Sequence, residues 1–362
     1  MNIIDFKSGK YIQQYQYVTF TPSMVNREWI ISDSELNNLL SEADRKVGEL
    51  NAFSQLIPDV DFFIMVHIAK EATTSSRIEG TQTSVEEAFI KEENIDPERR
   101  DDWAEVQNYI AALNQAIEEL KTLPLSNRLL RNTHKRLLKG VRGRERMPGE
   151  FRKSQNWIGA TLRDAFYIPP THEEVPKLMS DLEKFLNNQA LNVPHLVRIA
   201  IAHYQFETIH PFLDGNGRLG RLLITLYLVS SGVLSRPTLY LSDFFERNRM
   251  HYYDNLTGVR THNNLTQWLR FFLSGVLETA MHSIETFRKI IKLKESMEGD
   301  KLIQLGKRLP TAKRLLNALY VTPVVTVQDV EKILEISPAT AHRIVQDFVR
   351  FNILREQTGY KR

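Results

Sequence analysis

Apolar residues recur every three or four positions along most of this chain, which is the spacing of an amphipathic α-helix. In the segment 33–55, for example, Leu36, Leu40 and Val47 fall on one side of such a helix. The segment 194–206 is apolar on every side, which predicts a helix in the middle of the core. The same spacing predicts further helices over 59–78, 101–120, 125–138 and 171–186, and one that opens at Thr83.

One region breaks this helical pattern. Glycine and proline punctuate residues 142–170, which argues against a long helix. Within it, 156–160 and 164–168 are short apolar segments on either side of a turn at 161–163, and they predict either a β-hairpin or a surface loop. The expected fold class is therefore all-α, with at most one small β-hairpin.

The last part of the chain has an organisation of its own. A charged helical stretch, 285–298, precedes three short helices over 311–320, 327–334 and 337–351. The short connection between the last two helices is typical of a helix-turn-helix, and residues 354–362 would begin a wing. Residues 307–362 carry ten Lys and Arg against five Asp and Glu. A segment at 326–362 with this charge could contact DNA or a partner protein.

Composition narrows the class of protein. The chain has 362 residues and no cysteine, so disulfides and thiolate metal sites are excluded. Its first residues lack a basic segment followed by an apolar run, and its apolar stretches are short and broken by charge. We therefore expect a cytoplasmic protein without a membrane segment.

The most informative segment is 210–221, His-Pro-Phe-Leu-Asp-Gly-Asn-Gly-Arg-Leu-Gly-Arg. His210 can accept a proton near neutral pH, because an unperturbed imidazole has a pKa of about 6.5. Asp214 is the only carboxylate in the segment, and its oxygens suit Mg²⁺. A proton acceptor and a metal-type ligand thus lie four residues apart.

The second half of this segment suits phosphate binding. Gly215 and Gly217 allow backbone N–H groups to approach an anion closely. The apolar positions that follow, from Leu219 onward, predict a helix, so the glycines mark its N-terminus, where the helix dipole favours phosphate. Arg218 and Arg221 are three residues apart, share a face of that helix and can hold phosphate oxygens.

The segment resembles the signature of the Fic family, His-Pro-Phe-x-Asp-Gly-Asn-Gly-Arg-x-x-Arg, and matches it at every specified position. The resemblance implies a helical Fic/Fido core and transfer of AMP from ATP to a Ser, Thr or Tyr hydroxyl of a target protein, and of the chain itself. It implies that His210 is the general base, that Asp214 binds Mg²⁺ and that Phe212 packs in the core. The implied ATP-binding residues are Gly215, Asn216, Gly217, Arg218, Leu219, Gly220 and Arg221.

A second motif precedes the signature. Taken alone, Ser75-Ser-Arg-Ile-Glu79-Gly80 is a helix end with a solvated carboxylate and a glycine C-cap. It also resembles the inhibitory motif of some Fic proteins, Ser/Thr-x-x-x-Glu-Gly/Asn. The resemblance implies that Glu79 pairs with Arg221 and occupies the fork that would bind the γ-phosphate, so that the chain inhibits itself.

The resemblance carries several further expectations. The hairpin 156–168 would be a flap that holds the target segment by strand addition, and Tyr253 would line the adenine pocket. A homodimer is a further expectation. The expected regions are an N-terminal region with the inhibitory motif at 1–105, a catalytic core at 106–280, a helical linker at 281–305 and a winged helix-turn-helix-like domain at 306–362.

Two other functions are consistent with the same residues. The chain could be a DNA-binding regulator in which the Fic core only senses a nucleotide, although sensing needs no general base at His210. It could also remove AMP from a modified protein, with Glu79 orienting the attacking water.

Overall fold

The computed structural model describes residues 1–56 and 60–356, and it is predominantly helical. The strands are β1 (Gly9–Gln13), β2 (Val18–Pro22), β3 (Ile158–Gly159) and β4 (Ala165–Tyr167). The α-helices are α1 (Ser34–Leu56), α2 (Val60–Ile78), α3 (Arg100–Glu119), α4 (Asn127–Leu137), α5 (Val175–Asn187), α6 (His195–Ile209), α7 (Asn216–Ser230), α8 (Ser242–Arg247), α9 (Arg249–His262), α10 (Leu265–Ser296), α11 (Leu309–Val321), α12 (Val327–Leu334) and α13 (Pro338–Arg350).

Two antiparallel hairpins accompany the helices. The predicted hairpin in 156–168 is confirmed, although its strands β3 and β4 are shorter than the apolar segments suggest. The second hairpin, β1–β2, pairs Gly9 with Pro22 and Gln13 with Val18. Its first strand has no alternation of apolar and polar residues, and the alternation in the second strand covers only Val18 to Thr21, so the sequence did not predict the hairpin.

Helices α6 and α7 form the centre of the main core. Every side chain from Leu196 to Ile209 is buried, which confirms the prediction of a central helix after Pro194. Helix α6 packs on α5, α7 and α10, and α7 also contacts α3 and α4. The segment 210–215 therefore connects two helices that the surrounding core holds in place.

Two sequence expectations are corrected by the structure. The helix expected to open at Thr83 is replaced by three short 3₁₀ turns, Glu87–Phe89, Glu92–Asn94 and Pro97–Arg99. Proline and the capping side chain of Asp96 favour such turns over a continuous helix. The stretch 285–298 is mainly the end of α10, and Phe287 is buried in the main core, so the first part of the expected linker belongs to that core.

The C-terminal region has a separate core, which includes Leu315, Val330 and Phe348. Helices α12 and α13 meet at a short turn in which Glu335 adopts a left-handed conformation. The Thr326 side chain caps α12, whereas the hydroxyl of Ser337 hydrogen-bonds that of Thr340 and does not cap α13. The expected wing lies largely outside the described residues.

The C-terminal region contacts the N-terminal region directly. Helix α11 packs on α2, and the ammonium group of Lys91 lies 2.7 Å from Asp329. Among the residues that the structure describes, no helix is long and apolar enough to cross a membrane.

Candidate active site

His210 ends helix α6 in a strained conformation. Its φ of 50° and ψ of 61° are left-handed, which costs a non-glycine residue on the order of 1–3 kcal/mol. The strain is held by hydrogen bonds to the His210 carbonyl, which accepts from Arg152 Nε at 3.0 Å and from Asn156 Nδ2 at 3.2 Å. The chain can therefore turn sharply from α6 into the loop that precedes α7.

The His210 imidazole is neutral at physiological pH. Burial, helped by the positive charge of Arg152, lowers the pKa of His210 to about 4. The Nδ1 atom is buried and has no hydrogen-bond partner among the described residues. An unprotonated imidazole of this kind can accept a proton from an incoming hydroxyl.

Hydrogen bonds between its own residues stabilise the loop between α6 and α7. The amide of Asn216 accepts from the Phe212 N–H at 2.9 Å and donates to the Phe212 carbonyl at 2.8 Å. The Phe212 ring is buried, as expected, and stacks on His134 with 3.9 Å between ring centroids. Gly215, with φ of 72°, then allows the chain to enter α7 at Asn216. The first N–H groups of α7 consequently begin at the signature loop.

His134 is a site residue that the sequence did not reveal. Its Nδ1 accepts from the Gly149 N–H at 2.8 Å, so the proton is on Nε2, which lies 2.9 Å from the Asp214 carbonyl. Burial lowers the pKa of His134 to about 4, which keeps this arrangement neutral. His134 thus fixes the backbone at Asp214 from helix α4.

The Asp214 carboxylate is 36% exposed. Its Oδ1 accepts a hydrogen bond from the Gly215 N–H at 2.6 Å. A Cβ atom at Gly143 would lie only 2.6 Å from Oδ2, so the glycine there leaves room for the carboxylate. No cluster of three or more potential metal ligands occurs in the described part of the chain. One accessible carboxylate still suits Mg²⁺, since protein sites for this ion commonly combine one or two carboxylates with substrate phosphates and water.

Arg218 is buried and held by a carboxylate from helix α3. Its Nη1 lies 3.0 Å from Glu105 Oε2, and Arg142 approaches the other oxygen of Glu105 at 3.3 Å. The Nη2 atom of Arg218 is 3.8 Å from Asp214. Glu105 is a second residue that the sequence did not reveal, and it orients the Arg218 guanidinium beside the signature loop.

The structure brings Arg221 and the predicted inhibitory motif together. The Arg221 Nε donates to the Ser75 hydroxyl at 2.8 Å, and Nη2 donates to the Ser75 carbonyl and to Glu79 Oε1, both at 2.9 Å. Burial alone would raise the pKa of Glu79, but the charge of Arg221 and its hydrogen bond lower it below the usual value. Glu79 is therefore an anion that contacts one nitrogen of the Arg221 guanidinium, beside the two contacts that Ser75 makes.

Two glycines in the segment 210–221 lie close to carboxylates. A Cβ at Gly217 would overlap the carboxylate of Glu79, and a Cβ at Gly220 would overlap that of Glu207. Burial raises the pKa of Glu207 to about 7, and its Oε1 has no hydrogen-bond partner among the described residues. The sequence did not reveal Glu207, although it precedes His210 by one helical turn.

A row of aromatic residues continues from the site towards solvent. His203 is buried and hydrogen-bonds the Gly220 carbonyl and the Tyr252 hydroxyl, each at 2.9 Å, so it links α6 to α7 and α9. Burial lowers the pKa of His203 to about 3. The Tyr253 ring is 43% exposed and lies 5.2 Å from the Tyr252 ring, so it has a free face beside the site.

Sequence comparisons identify the family of this chain. The Fic/DOC family N-terminal model matches residues 37–118, and the Fic/DOC family model matches residues 124–228. A protein adenylyltransferase Fic of Drosophila erecta is 40% identical over 85 residues, and one of Aedes aegypti is 35% identical over 124 residues. These alignments cover 23% and 34% of this chain, and 16% and 22% of the two relatives. The chain thus matches less than a quarter of either relative's length.

Solved structures share the fold at low sequence identity. A Fic family protein from Desulfovibrio desulfuricans aligns over 90% of this chain and 91% of its own, with a TM-score of 0.59 and 22% identity. A Fic domain-containing signaling protein from Bacteroides thetaiotaomicron aligns over 71% of this chain and 97% of its own, with a TM-score of 0.55 and 20% identity. At these identities the comparison supports the fold alone.

Proposed function

The chain belongs to the Fic/DOC family, and on this premise we propose that it is a protein adenylyltransferase that transfers AMP from ATP to a Ser, Thr or Tyr hydroxyl of a target protein and of itself. The observation that carries the proposal is a neutral, half-buried His210 that the signature loop joins to the N-terminus of α7, the helix that carries Arg221. A nucleotide sensor would need the phosphate-binding groups but no general base.

In the proposed reaction, His210 accepts the proton of the target hydroxyl as its oxygen bonds to the α-phosphorus. The bond from this phosphorus to pyrophosphate breaks, and AMP remains on the protein. The backbone N–H groups of Gly215, Asn216 and Gly217, with Arg218, hold the phosphates and stabilise charge that develops on them. Mg²⁺ at Asp214 would neutralise charge on the α- and β-phosphates when bound.

The same geometry supports inhibition by Glu79. Its carboxylate contacts Nη2 of a guanidinium that suits phosphate oxygens, so the γ-phosphate of ATP has to displace Glu79 before Arg221 can hold it. ATP that binds without this contact leaves its α-phosphorus out of line with the hydroxyl at His210. We propose that Glu79 therefore slows transfer more than it weakens total nucleotide binding.

The test of the proposed function is label transfer. The Glu79→Gly variant is incubated with ATP labelled on the α-phosphate and a cell lysate, and labelled proteins are separated and mapped by mass spectrometry. We expect AMP on a hydroxyl side chain of at least one protein, and none when the variant also carries His210→Ala. Label that is absent in both samples, or equal in both, would exclude the proposal.

Asp214→Ala is expected to lower the Mg²⁺-dependent rate of labelling by about 10²-fold. The substitution removes the accessible carboxylate that would hold Mg²⁺, whose positive charge would neutralise the α- and β-phosphates. The measurement is the rate of labelling against Mg²⁺ concentration in the Glu79→Gly background. Asp101→Ala is a matched control, since that carboxylate is exposed at the start of α3. An unchanged rate and Mg²⁺ requirement for Asp214→Ala would place the metal elsewhere.

The pH dependence should follow the lowered pKa of His210. The base acts only when neutral, so kcat/KM is expected to hold as pH falls through 6.5 and to drop only as pH approaches about 4. Glu79 raises this pKa, so the Glu79→Gly variant should keep its activity to equal or lower pH. Self-labelling rates across this range check the prediction, and an acid limb centred near pH 6.5 would contradict it.

A further inference from the structure

A groove of about 360 Å³ lies beside the flap, between the N-terminal hairpin, strand β4 and helix α9. None of the hairpin β1–β2 or of α9 falls within the ranges that match the family. About half of the groove is therefore built by parts of this chain that the family models do not describe. Its lining includes Tyr11, Tyr17, Arg163, Phe166, Tyr167 and Arg260.

The groove is fixed relative to His210. Its floor residue Tyr167 donates its hydroxyl hydrogen to the carbonyl of Thr208 at 2.6 Å, two residues before His210. The N-terminal hairpin is joined to the flap by the Phe20 N–H, which donates to the Ile168 carbonyl at 3.0 Å. A peptide that occupied the groove would thus have a set position with respect to the catalytic histidine.

The charged side chains that line the groove are all positive. Its charged lining residues are Arg163 and Arg260, and no carboxylate lines it in the described part of the chain. The Arg260 guanidinium lies 4.0 Å from the centre of the Tyr167 ring, which holds it in place as a cation–π contact. The nearby carboxylate of Asp164 accepts a hydrogen bond from Thr161 within the flap turn.

Large apolar side chains surround this basic groove. Phe166 on the flap is 91% exposed and Tyr15 at the tip of the N-terminal hairpin is 97% exposed. A concentration of exposed aromatic residues of this kind is typical of a protein-binding surface. Further exposed apolar residues on the two hairpins are Tyr11, Val18, Trp157 and Ile158.

From these observations we infer that the groove is a target-recognition subsite. It binds a peptide segment of the modified protein that carries both acidic and apolar side chains. The inference rests on the proposed function. Acidic side chains of the segment pair with Arg163 and Arg260, and its apolar side chains pack on Phe166 and Tyr11. The groove then selects the target, while the flap delivers the hydroxyl residue to His210.

Peptide libraries test this subsite. In the Glu79→Gly background, libraries with a central Ser, Thr or Tyr and either Asp/Glu or Lys/Arg at the flanking positions are labelled from ATP. We expect the acidic libraries to be preferred, and Arg163→Glu or Arg260→Gln to reduce that preference by about two- to fivefold. Arg128→Glu, an exposed arginine on α4, should leave it unchanged. Equal labelling of acidic and basic libraries, or a preference that both groove variants retain, would overturn the inference.

A binding measurement separates failure of this inference from failure of the proposed function. Fluorescence anisotropy with the wild-type chain compares one peptide rich in Glu and Phe with a version in which Lys replaces Glu. We expect tighter binding of the acidic peptide, weakened by Arg163→Glu but not by Arg128→Glu. If no library is labelled and this binding pattern is present, the adenylyltransferase proposal fails alone; if binding shows no charge preference, the subsite is wrong.

Discussion

Replacing His210 by alanine is expected to lower the rate of AMP transfer by about 10²- to 10⁴-fold, which is the usual effect of losing a general base. His210 is the C-cap residue of α6 and its imidazole is neutral, whereas the proposed phosphate-binding groups lie at the start of α7 and include Arg221. ATP affinity should therefore change little. The rate is measured by labelling in the Glu79→Gly background, and the affinity by titration with a fluorescent ATP analogue.

A matched control addresses the strained backbone at position 210. Asparagine tolerates the left-handed conformation better than most residues, so His210→Asn should keep the loop in place while it removes the base. Both variants should lose transfer and keep nucleotide binding. Labelling at the rate of the parent by either variant would remove His210 from the mechanism.

Glu79→Gly is expected to raise the rate of AMP transfer by about tenfold or more. The substitution frees the Arg221 fork for the γ-phosphate, and a change of about 1.4 kcal/mol in favour of the productive position of ATP is already a factor of ten. Total ATP affinity should change less than the rate, because the other phosphate contacts do not involve Glu79. Rates of self-labelling and ATP titrations on the same preparations measure both quantities.

Two further variants show whether the effect acts through Arg221. Glu79→Gln keeps a hydrogen-bond acceptor at the fork but removes its charge, so its rate should lie between those of the parent and the glycine variant. Arg221→Ala in the Glu79→Gly background should lose the gain, since the γ-phosphate then has no partner. A folded, ATP-binding Glu79→Gly protein that is no faster than the parent would make Glu79 an ordinary carboxylate at a helix end.

The sequence predicts the site best where the functional residues and the turn residues lie in one short segment. The segment 210–221 carries its own turn residues, so its loop and the start of α7 could be read from spacing alone. The pairing of Glu79 with Arg221 spans 142 positions and was foreseen only through resemblance to a known motif. Spacing alone would have left Glu79 as a solvated helix end.

Partners that come from distant helices could not be foreseen. Glu105 reaches Arg218 across 113 positions and His134 reaches Asp214 across 80, and neither lies in a motif. The β1–β2 hairpin was also missed, because its exposed first strand lacks the alternation that marks a half-buried strand. The roles of such residues can be assigned only from the packed structure, in which distant helices and strands are in contact.

We propose that His210 takes part in the transfer of AMP from ATP and that Glu79 slows this transfer. The most direct measurement incubates purified Glu79→Gly protein with ATP labelled either on the α-phosphate or on the γ-phosphate, beside the parent and the Glu79→Gly, His210→Ala double variant. We expect covalent α-label on the Glu79→Gly protein, much less on the parent, none on the double variant and no γ-label on any of them. Covalent γ-label, or α-label that persists without His210, would contradict it.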